Sequence, residues 1–528
     1  MTDAPVEKKP PTRTRNYLAG LTSGYVRTVV TVIVGLWLTP FTLRYLDRQE
    51  YAIFTLASDA LMWLGLLDLG ITTGLRVQAA QLTGRPDKEK LNLLASTAFF
   101  AQNGVVVLIL IAGSVLAFLF PHLFPVRPDL QKDATNLMFM LVLGSSLSIG
   151  TQTFSAILVA NQQIHIDNFI GLLNIGIRTL LTVVLLEAGW GLYSLAVAAL
   201  AAVVVTVVLA VVRTYRFLPD LRIRWSLASW TSFKSISHVG LWFSLGGLAG
   251  IVIQSLDRIM TAQVVSIEMV TTLTLTGRLY ALSGSLLGQI TETARPMLGQ
   301  IFGQRKMDHA LRTYRRLFAL STGSAVVAAA SMWAANGTFV TRWVGGTNYG
   351  GISLDFALAL NLILASWILP NRAILTASLN VRPQVVCRMI EGGLNLGLSI
   401  VFGRMFGVFG VVFATAIACL VSSWWYMPLL TARMFGRPFR SFIWDDAARV
   451  IVLMACLFPI AYLLRQFAMG ISGFVGAAFG IVATGLAGFI LTWFLVFDAE
   501  LRTRGLNAAS GALSFIRPIP HIRKENNR

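Results

Sequence analysis

Long apolar runs separated by short polar connections make up most of the chain. A helix needs about 20 apolar residues to cross the hydrocarbon core of a bilayer. By that measure about fourteen spans are predicted: 18–43, 51–75, 91–120, 135–159, 169–186, 192–212, 239–265, 270–290, 317–335, 354–379, 385–402, 408–430, 451–464 and 474–497. The thirteenth is the shortest. Ahead of them stand sixteen polar, Pro-rich residues, MTDAPVEKKPPTRTRN, which read as a disordered tail. They do not open a cleaved signal peptide, because the next apolar run is too long and lacks a small-residue cleavage site.

Composition supports this pattern. Of 528 residues, 55 % are hydrophobic and only 13 % charged, and mean hydropathy is +0.69. Soluble domains carry about 25 % charged residues. The predicted fold class is therefore an all-α polytopic membrane protein. A soluble enzyme, a secreted disulfide scaffold and a disordered tail protein are excluded. The net charge of +19 comes from 43 Lys+Arg against 24 Asp+Glu. On a soluble protein it would suggest nucleic acid. Here the basic residues fall between the apolar runs, so they read as charge facing the cytoplasm and anionic membrane lipid, with no nucleic-acid partner. Cys387, Cys419 and Cys456 lie in or beside apolar runs, and the five histidines are scattered. No metal motif and no GxxxxGK[ST] phosphate loop is present, so neither a cofactor, a metal site nor ATP hydrolysis is expected. No loop is long enough for a soluble catalytic domain, so the chain is not expected to be an enzyme.

Lys and Arg concentrate in alternate loops, as around Arg85–Lys90, Arg213–Lys234, Arg295–Arg316 and Arg433–Arg449. The other loops hold little beyond Arg44, Arg48, Arg127, Lys132, Arg342, Arg404 and Arg465. The positive-inside rule then places both termini in the cytoplasm, in agreement with an even number of spans.

The chain also repeats itself weakly. GLLNIGI at 171–177 matches GGLNLGL at 392–398, Ala156-Ile157-Leu158 matches Ala373-Ile374-Leu375, and Arg76 with Gly84 matches Arg295 with Gly303, all at spacings of 217–221 residues. Spans one to six thus pair with seven to twelve in the same orientation, which predicts two pseudo-symmetric six-helix lobes around a central cleft and an alternating-access mechanism. The expected division is a tail at 1–17, lobes at 18–225 and 226–435, two additional helices at 436–498, and a second tail at 499–528.

Ionisable residues inside spans cost about 2.5–3.5 kcal/mol at the centre on insertion scales. Arg178 lies midway along the fifth span, Arg278 in the eighth, Arg372 in the tenth and Arg27 in the first. They read as candidates for an anion-binding cleft, since guanidinium is permanently charged and pairs its N–H groups with phosphate oxygens. Arg27 and Arg388 are close enough to the inner surface to snorkel instead. Asp59 and Asp68 in the second span and Glu391 in the eleventh are candidate carriers of a coupling ion. For Asp59 and Asp68, fixed pairing with these arginines is the alternative.

Several local runs carry a family resemblance. The first span closes with Leu43-Arg44-Tyr45-Leu46, followed by Glu50-Tyr51-Ala52-Ile53-Phe54, then Leu67-Asp68-Leu69-Gly70-Ile71 and Arg76. The second half has Leu256-Asp257-Arg258-Ile259-Met260 and Gly277-Arg278-Leu279-Tyr280. This pattern resembles the Wzx-type O-antigen and polysaccharide flippases of the multidrug/oligosaccharidyl-lipid/polysaccharide superfamily. Asp47 departs from the small residue usual there. The resemblance implies transport of an undecaprenyl-pyrophosphate-linked oligosaccharide across the bacterial cytoplasmic membrane for polysaccharide biosynthesis, with polymerase and ligase proteins as partners. Two rivals stand beside it. An ion-coupled drug or metabolite antiporter of the same superfamily would favour acidic residues in the cleft. A membrane glycosyltransferase or polymerase would need exposed carboxylates, and Asp445-Asp446 on a basic loop is the only adjacent acidic pair.

Overall fold

The computed structural model describes residues 12–68, 70–82, 87–161, 163–237, 255–303, 307–378, 382–471, 473–497 and 502. Every regular element among them is helical. In chain order these are α1 (Thr12–Thr42), α2 (Arg48–Leu64), α3 (Ile71–Leu82), α4 (Lys88–Leu123), α5 (Gln131–Gly150), α6 (Gln152–Ala160), α7 (Ile164–Glu187) and α8 (Tyr193–Phe217). A helical segment at 255–260 runs into a π-turn, Thr261–Val265. Then follow α9 (Glu268–Thr276), α10 (Arg278–Gly303), α11 (Met307–Val344), α12 (Gly351–Ala377), α13 (Arg382–Val421), α14 (Ser423–Met434), α15 (Phe439–Gly470) and α16 (Gly473–Leu495).

Ten helices among the described residues are long and apolar enough to cross a membrane, so the chain is a multi-pass membrane protein. The difference from fourteen has physical causes. One of the ten stretches, Arg382–Met434, holds two predicted spans. It bends at Gly407, whose φ of 62° is a left-handed conformation that glycine adopts at no steric cost. The second span breaks into α2, a 3-10 turn at Gly65–Asp68 and α3, with Gly70 at φ 76°. The eighth breaks at Gly277 between α9 and α10. Most of the seventh lies outside the described residues. The thirteenth is not short: α15 is 32 residues long. Asp445 and Asp446 fall within its first turns. Helix α1 begins at Thr12, before the apolar run, while the rest of the predicted first tail lies outside the described residues, as does the second tail apart from Arg502.

The chain divides into two compact units. One comprises Met1–Gly277, Trp343–Leu354 and Val381–Ser422, the other Arg278–Arg342, Asp355–Asn380 and Ser423–Arg528. In the first, α4 packs on α5, α7 on α8 and on α1, and α5 on α8. Lipid tails are as apolar as leucine, so helices in a bilayer associate by close packing of small residues. Ala95, Ala98, Ala117, Ala134, Ala196 and Ala198 are accordingly fully buried. A Cβ added to Gly113 of α4 would lie 2.6 Å from Val142 of α5, so no larger residue fits there. In the second unit a buried triad joins three helices. Asn336 of α11 donates to Asp355 of α12 at 2.6 Å, and Arg465 of α15 lies 3.6 Å from the same carboxylate.

The first unit also fixes which ends share a side. At one end of α2, Asp47 and Glu50 form a reciprocal capping box, and Arg127 pairs with Asp47 at 2.5 Å. Gln49 donates to Glu268 of α9 at 3.1 Å, and the Gly350 N–H donates to Thr276 at 3.0 Å. At the opposite end of α4, Lys88 pairs with Asp220 at 2.7 Å and holds that carboxyl below the usual carboxylate range. An acid whose pKa is depressed by folding stabilises above its unfolded pKa. This tie therefore persists at neutral pH and is lost only below the ordinary carboxylate range. Cysteine labels at Lys88, Arg224 and Arg437 are expected to react only from the cytoplasm, and labels at Arg127 and Asn348 only from outside. Labelling of Arg224 from outside would reverse the predicted orientation.

Candidate functional site

Within the first unit the side chains of α2, α5, α7 and α8 leave a cavity of about 470 Å³. Arg178 of α7 and Asp68, the last residue of the 3-10 turn, both line it, with Ser58, Ser145, Ser148 and Gln152. The break in the second span is what brings Asp68 to the wall, because the turn ends there.

Arg178 is half-buried, with its guanidinium 5.8 Å from the centre of the Phe54 ring. Among the described residues no carboxylate pairs with it. A guanidinium at this depth is costly, and it lines a cavity whose wall mixes Ser58, Ser145, Ser148, Gln152 and Asp68 with apolar side chains. Asp68 accepts the Thr72 N–H at 3.3 Å. Behind it runs a satisfied chain: the Thr72 hydroxyl donates to Gln152 at 2.7 Å and accepts from Gln102 at 2.9 Å. The Gln102 carbonyl oxygen accepts from the Thr153 N–H at 3.1 Å and the Thr153 hydroxyl at 2.5 Å. Buried polar networks of this kind rigidify a site when every member is paired.

The remaining candidates are distributed as follows. Arg27 is exposed on α1, with its guanidinium against Gly171 of α7, where a Cβ would lie 2.6 Å from Cζ. Asp59 is held in a two-pronged ion pair with Arg258 at 2.5 and 2.6 Å. Glu391 is paired with Arg388 at 2.7 Å. Both acids therefore hold an arginine partner. Arg278 and Arg372 belong to the second unit. Arg278 opens α10, and its buried Nε has no hydrogen-bond partner among the described residues. Arg372 is half-buried on α12. Its neighbour Asn371 is fully buried and accepts from the Tyr314 hydroxyl at 2.9 Å. In the same unit Trp424 stacks on Trp367 at 5.5 Å.

One cluster escaped sequence reasoning. The Thr415 hydroxyl donates to Asp257 at 2.6 Å and lies 3.1 Å from the Asn395 carbonyl oxygen. Ser399 lies 3.0 Å from the same oxygen and 3.5 Å from the Val411 main-chain oxygen. Its signal is the repeat itself. Asn395 stands in GGLNLGL where Asn174 stands in GLLNIGI, and Asn174 donates to Thr206 at 3.3 Å. Each copy thus uses the same asparagine to reach a threonine on the next span, and only the second adds a carboxylate.

The MatE family profile matches residues 25–184. No curated protein sequence matches the chain. Among solved structures, an inward-facing multidrug-resistance transporter of the MATE family in the MOP superfamily is similar at 17 % identity and TM-score 0.64. That match covers 77 % of this chain and 95 % of the other. The lipid II flippase MurJ, in an inward closed conformation, is similar at 14 % identity and TM-score 0.62, over 93 % of this chain and 99 % of its own. A MOP superfamily transporter from Pyrococcus furiosus matches at 16 % identity and TM-score 0.57, over 81 % of this chain and 96 % of the other. At such identities the likeness shows the fold: the chain has the helical membrane architecture shared by these transporters and flippases.

Proposed function

We propose that the protein is a flippase that moves an anionic lipid-linked oligosaccharide, of the undecaprenyl-pyrophosphate type, across the bacterial cytoplasmic membrane by alternating access, with both termini inside. The observation that carries this reading is Arg178 on the wall of this cavity, with no carboxylate paired to it among the described residues. A pyrophosphate is an anion of the kind a planar guanidinium binds through two parallel hydrogen bonds. The long match to the lipid II flippase structure supports the reading, as do the local sequence runs. The test is the lipid fraction of a strain lacking the gene. It should accumulate a lipid-linked oligosaccharide on the inner leaflet, cleared by the wild-type protein. An unchanged lipid profile would discard the proposal.

A second reading, an ion-coupled antiporter of small cations, is favoured by Asp68 on the wall of the same cavity. The two readings differ in what Asp68 does. In a flippase it is a candidate for ion coupling, since Asp59 and Glu391 are paired. The oxygens around Asp257 are a second candidate, because carboxylate, amide, hydroxyl and main-chain oxygens are the ligands of hard cations. In vesicles with an imposed proton or sodium gradient, Asp68→Asn or Asp257→Asn is expected to remove the gradient dependence of transport. An unchanged dependence in both variants would assign these acids a structural role only. Saturable uptake of organic cations that Asp68→Asn abolishes would favour the antiporter.

A further inference from the structure

The stretch that joins the sixth span to the seventh is a built element. Residues 221–224 alternate: Leu221 is buried and Ile223 packs on the same core, while Arg222 and Arg224 are exposed. This is the two-residue period of an extended strand, and Arg224 has φ −137° and ψ 142°. In the short helix that follows, Phe233 and Ile236 face the core, and Trp230 and Lys234 face outward.

Polar side chains of α4 hold this stretch in place. Asn92 accepts the Arg222 N–H at 2.9 Å. Ser96 accepts the Arg224 N–H at 3.1 Å and donates to the Arg222 carbonyl at 3.3 Å. Thr97 accepts the Ser229 N–H at 3.1 Å. The outer face is therefore fixed, and it presents large rings beside cations. Trp225 is 73 % exposed and Trp230 68 % exposed. Trp225 meets Phe100 of α4 edge-on at 4.9 Å, and the Lys234 ammonium lies 5.7 Å from the Trp230 ring centre.

The position along α4 says what faces these rings. Helix α4 has 36 residues, about 54 Å at 1.5 Å per residue, far more than the ~30 Å core. After Gln102, Asn103 and Gly104 the helix is apolar to Leu123 except for Ser114 and His122, about 28 Å that by itself fills the core, so Phe100 and Trp225 fall at the boundary ahead of it, where tryptophan is enriched in membrane proteins. In water two such exposed rings would be a liability; at the head-group level they are anchors.

We propose that residues 218–237 form a strap that binds the anionic head groups of the surrounding phospholipid. Trp225 and Trp230 are seated at the head-group boundary, and Arg222, Arg224 and Lys234 face the phosphates. The inference does not depend on the transported substrate. Because the strap connects the two sequence repeats, bilayer charge acts on the connection between them.

The test uses the full-length protein and no transport assay. In native mass spectrometry the wild type should retain phosphatidylglycerol over phosphatidylcholine. The triple variant Arg222→Gln, Arg224→Gln, Lys234→Gln should lose that preference by about fivefold per charge, the ~1 kcal/mol a surface cation contributes. In nanodiscs of brominated phosphatidylcholine, Trp225→Phe and Trp230→Phe should each remove part of the quenched emission. Unchanged phosphatidylglycerol preference in the triple variant, or tryptophans that the bromine does not quench, would overturn the proposal. So would displacement of the phosphatidylglycerol by equimolar polyprenyl pyrophosphate, which would make the strap part of the substrate path.

Discussion

Arg178→Ala is expected to reduce export by at least about tenfold while leaving the amount of inserted protein unchanged. Substituting an arginine inside the membrane removes a cost of about 2.5–3.5 kcal/mol on insertion scales, so folding gains rather than suffers. Among the described residues the side chain has no ion pair to lose, and it lies over the Phe54 ring. Under the proposed function, what disappears is a charge-assisted contact with the anionic substrate, and hydrogen bonds to charged groups contribute about 1.5–3 kcal/mol. Each 1.4 kcal/mol is tenfold in affinity, so the loss falls between about tenfold and a hundredfold. Arg178→Lys separates two kinds of recognition. It keeps the charge but not the planar fork. Partial export in the Lys variant means a point charge is enough, and loss equal to alanine means paired hydrogen bonding is required. Export by Arg178→Ala at the wild-type rate would end the anion reading of the cavity. The measurement is surface glycan in a deletion strain, normalised to membrane-inserted protein.

The spans were legible because a twenty-residue apolar run is a one-dimensional signal, and so was Arg178, a charge isolated in the middle of one. The breaks at Gly65–Asp68 and Gly277 were not, because hydropathy averages over windows longer than a turn. Pairing was the other hidden quantity. Asp59 and Arg258 stand 199 residues apart and meet only through the fold. Asp257 and Arg258 are adjacent in sequence, yet about 100° apart around a helix at 3.6 residues per turn. One therefore reaches Thr415 and the other Asp59. Composition can count buried acids, but it cannot say which of them already holds a cation.

That distinction sets the second large effect. Asp59→Asn is expected to cost far more stability than Asp68→Asn. The Asp59 side chain is 6 % exposed and Arg258 28 %. Removing one member of a buried pair strands the other charge, at about 3–5 kcal/mol, comparable to much of the stability of a typical domain. Asp68 accepts from Thr72 and has no ion pair among the described residues, so its neutral isostere keeps the geometry. Asp59→Asn should therefore lower the amount of folded protein in mild detergent, and Arg258→Gln should do the same. Replacing both, Asp59→Leu with Arg258→Met, should restore most of it, since a buried pair exchanged for apolar residues is often neutral or stabilising. The exchange Asp59→Arg with Arg258→Asp should restore less, because the two side chains differ in length. The readout is the thermal unfolding midpoint of the purified protein, with export measured alongside. If the double apolar variant is as unstable as either single one, the pair is not what holds α2 to the segment 255–260. If it is stable but inactive, the pair has to be charged for transport, and Asp59 regains a role in coupling.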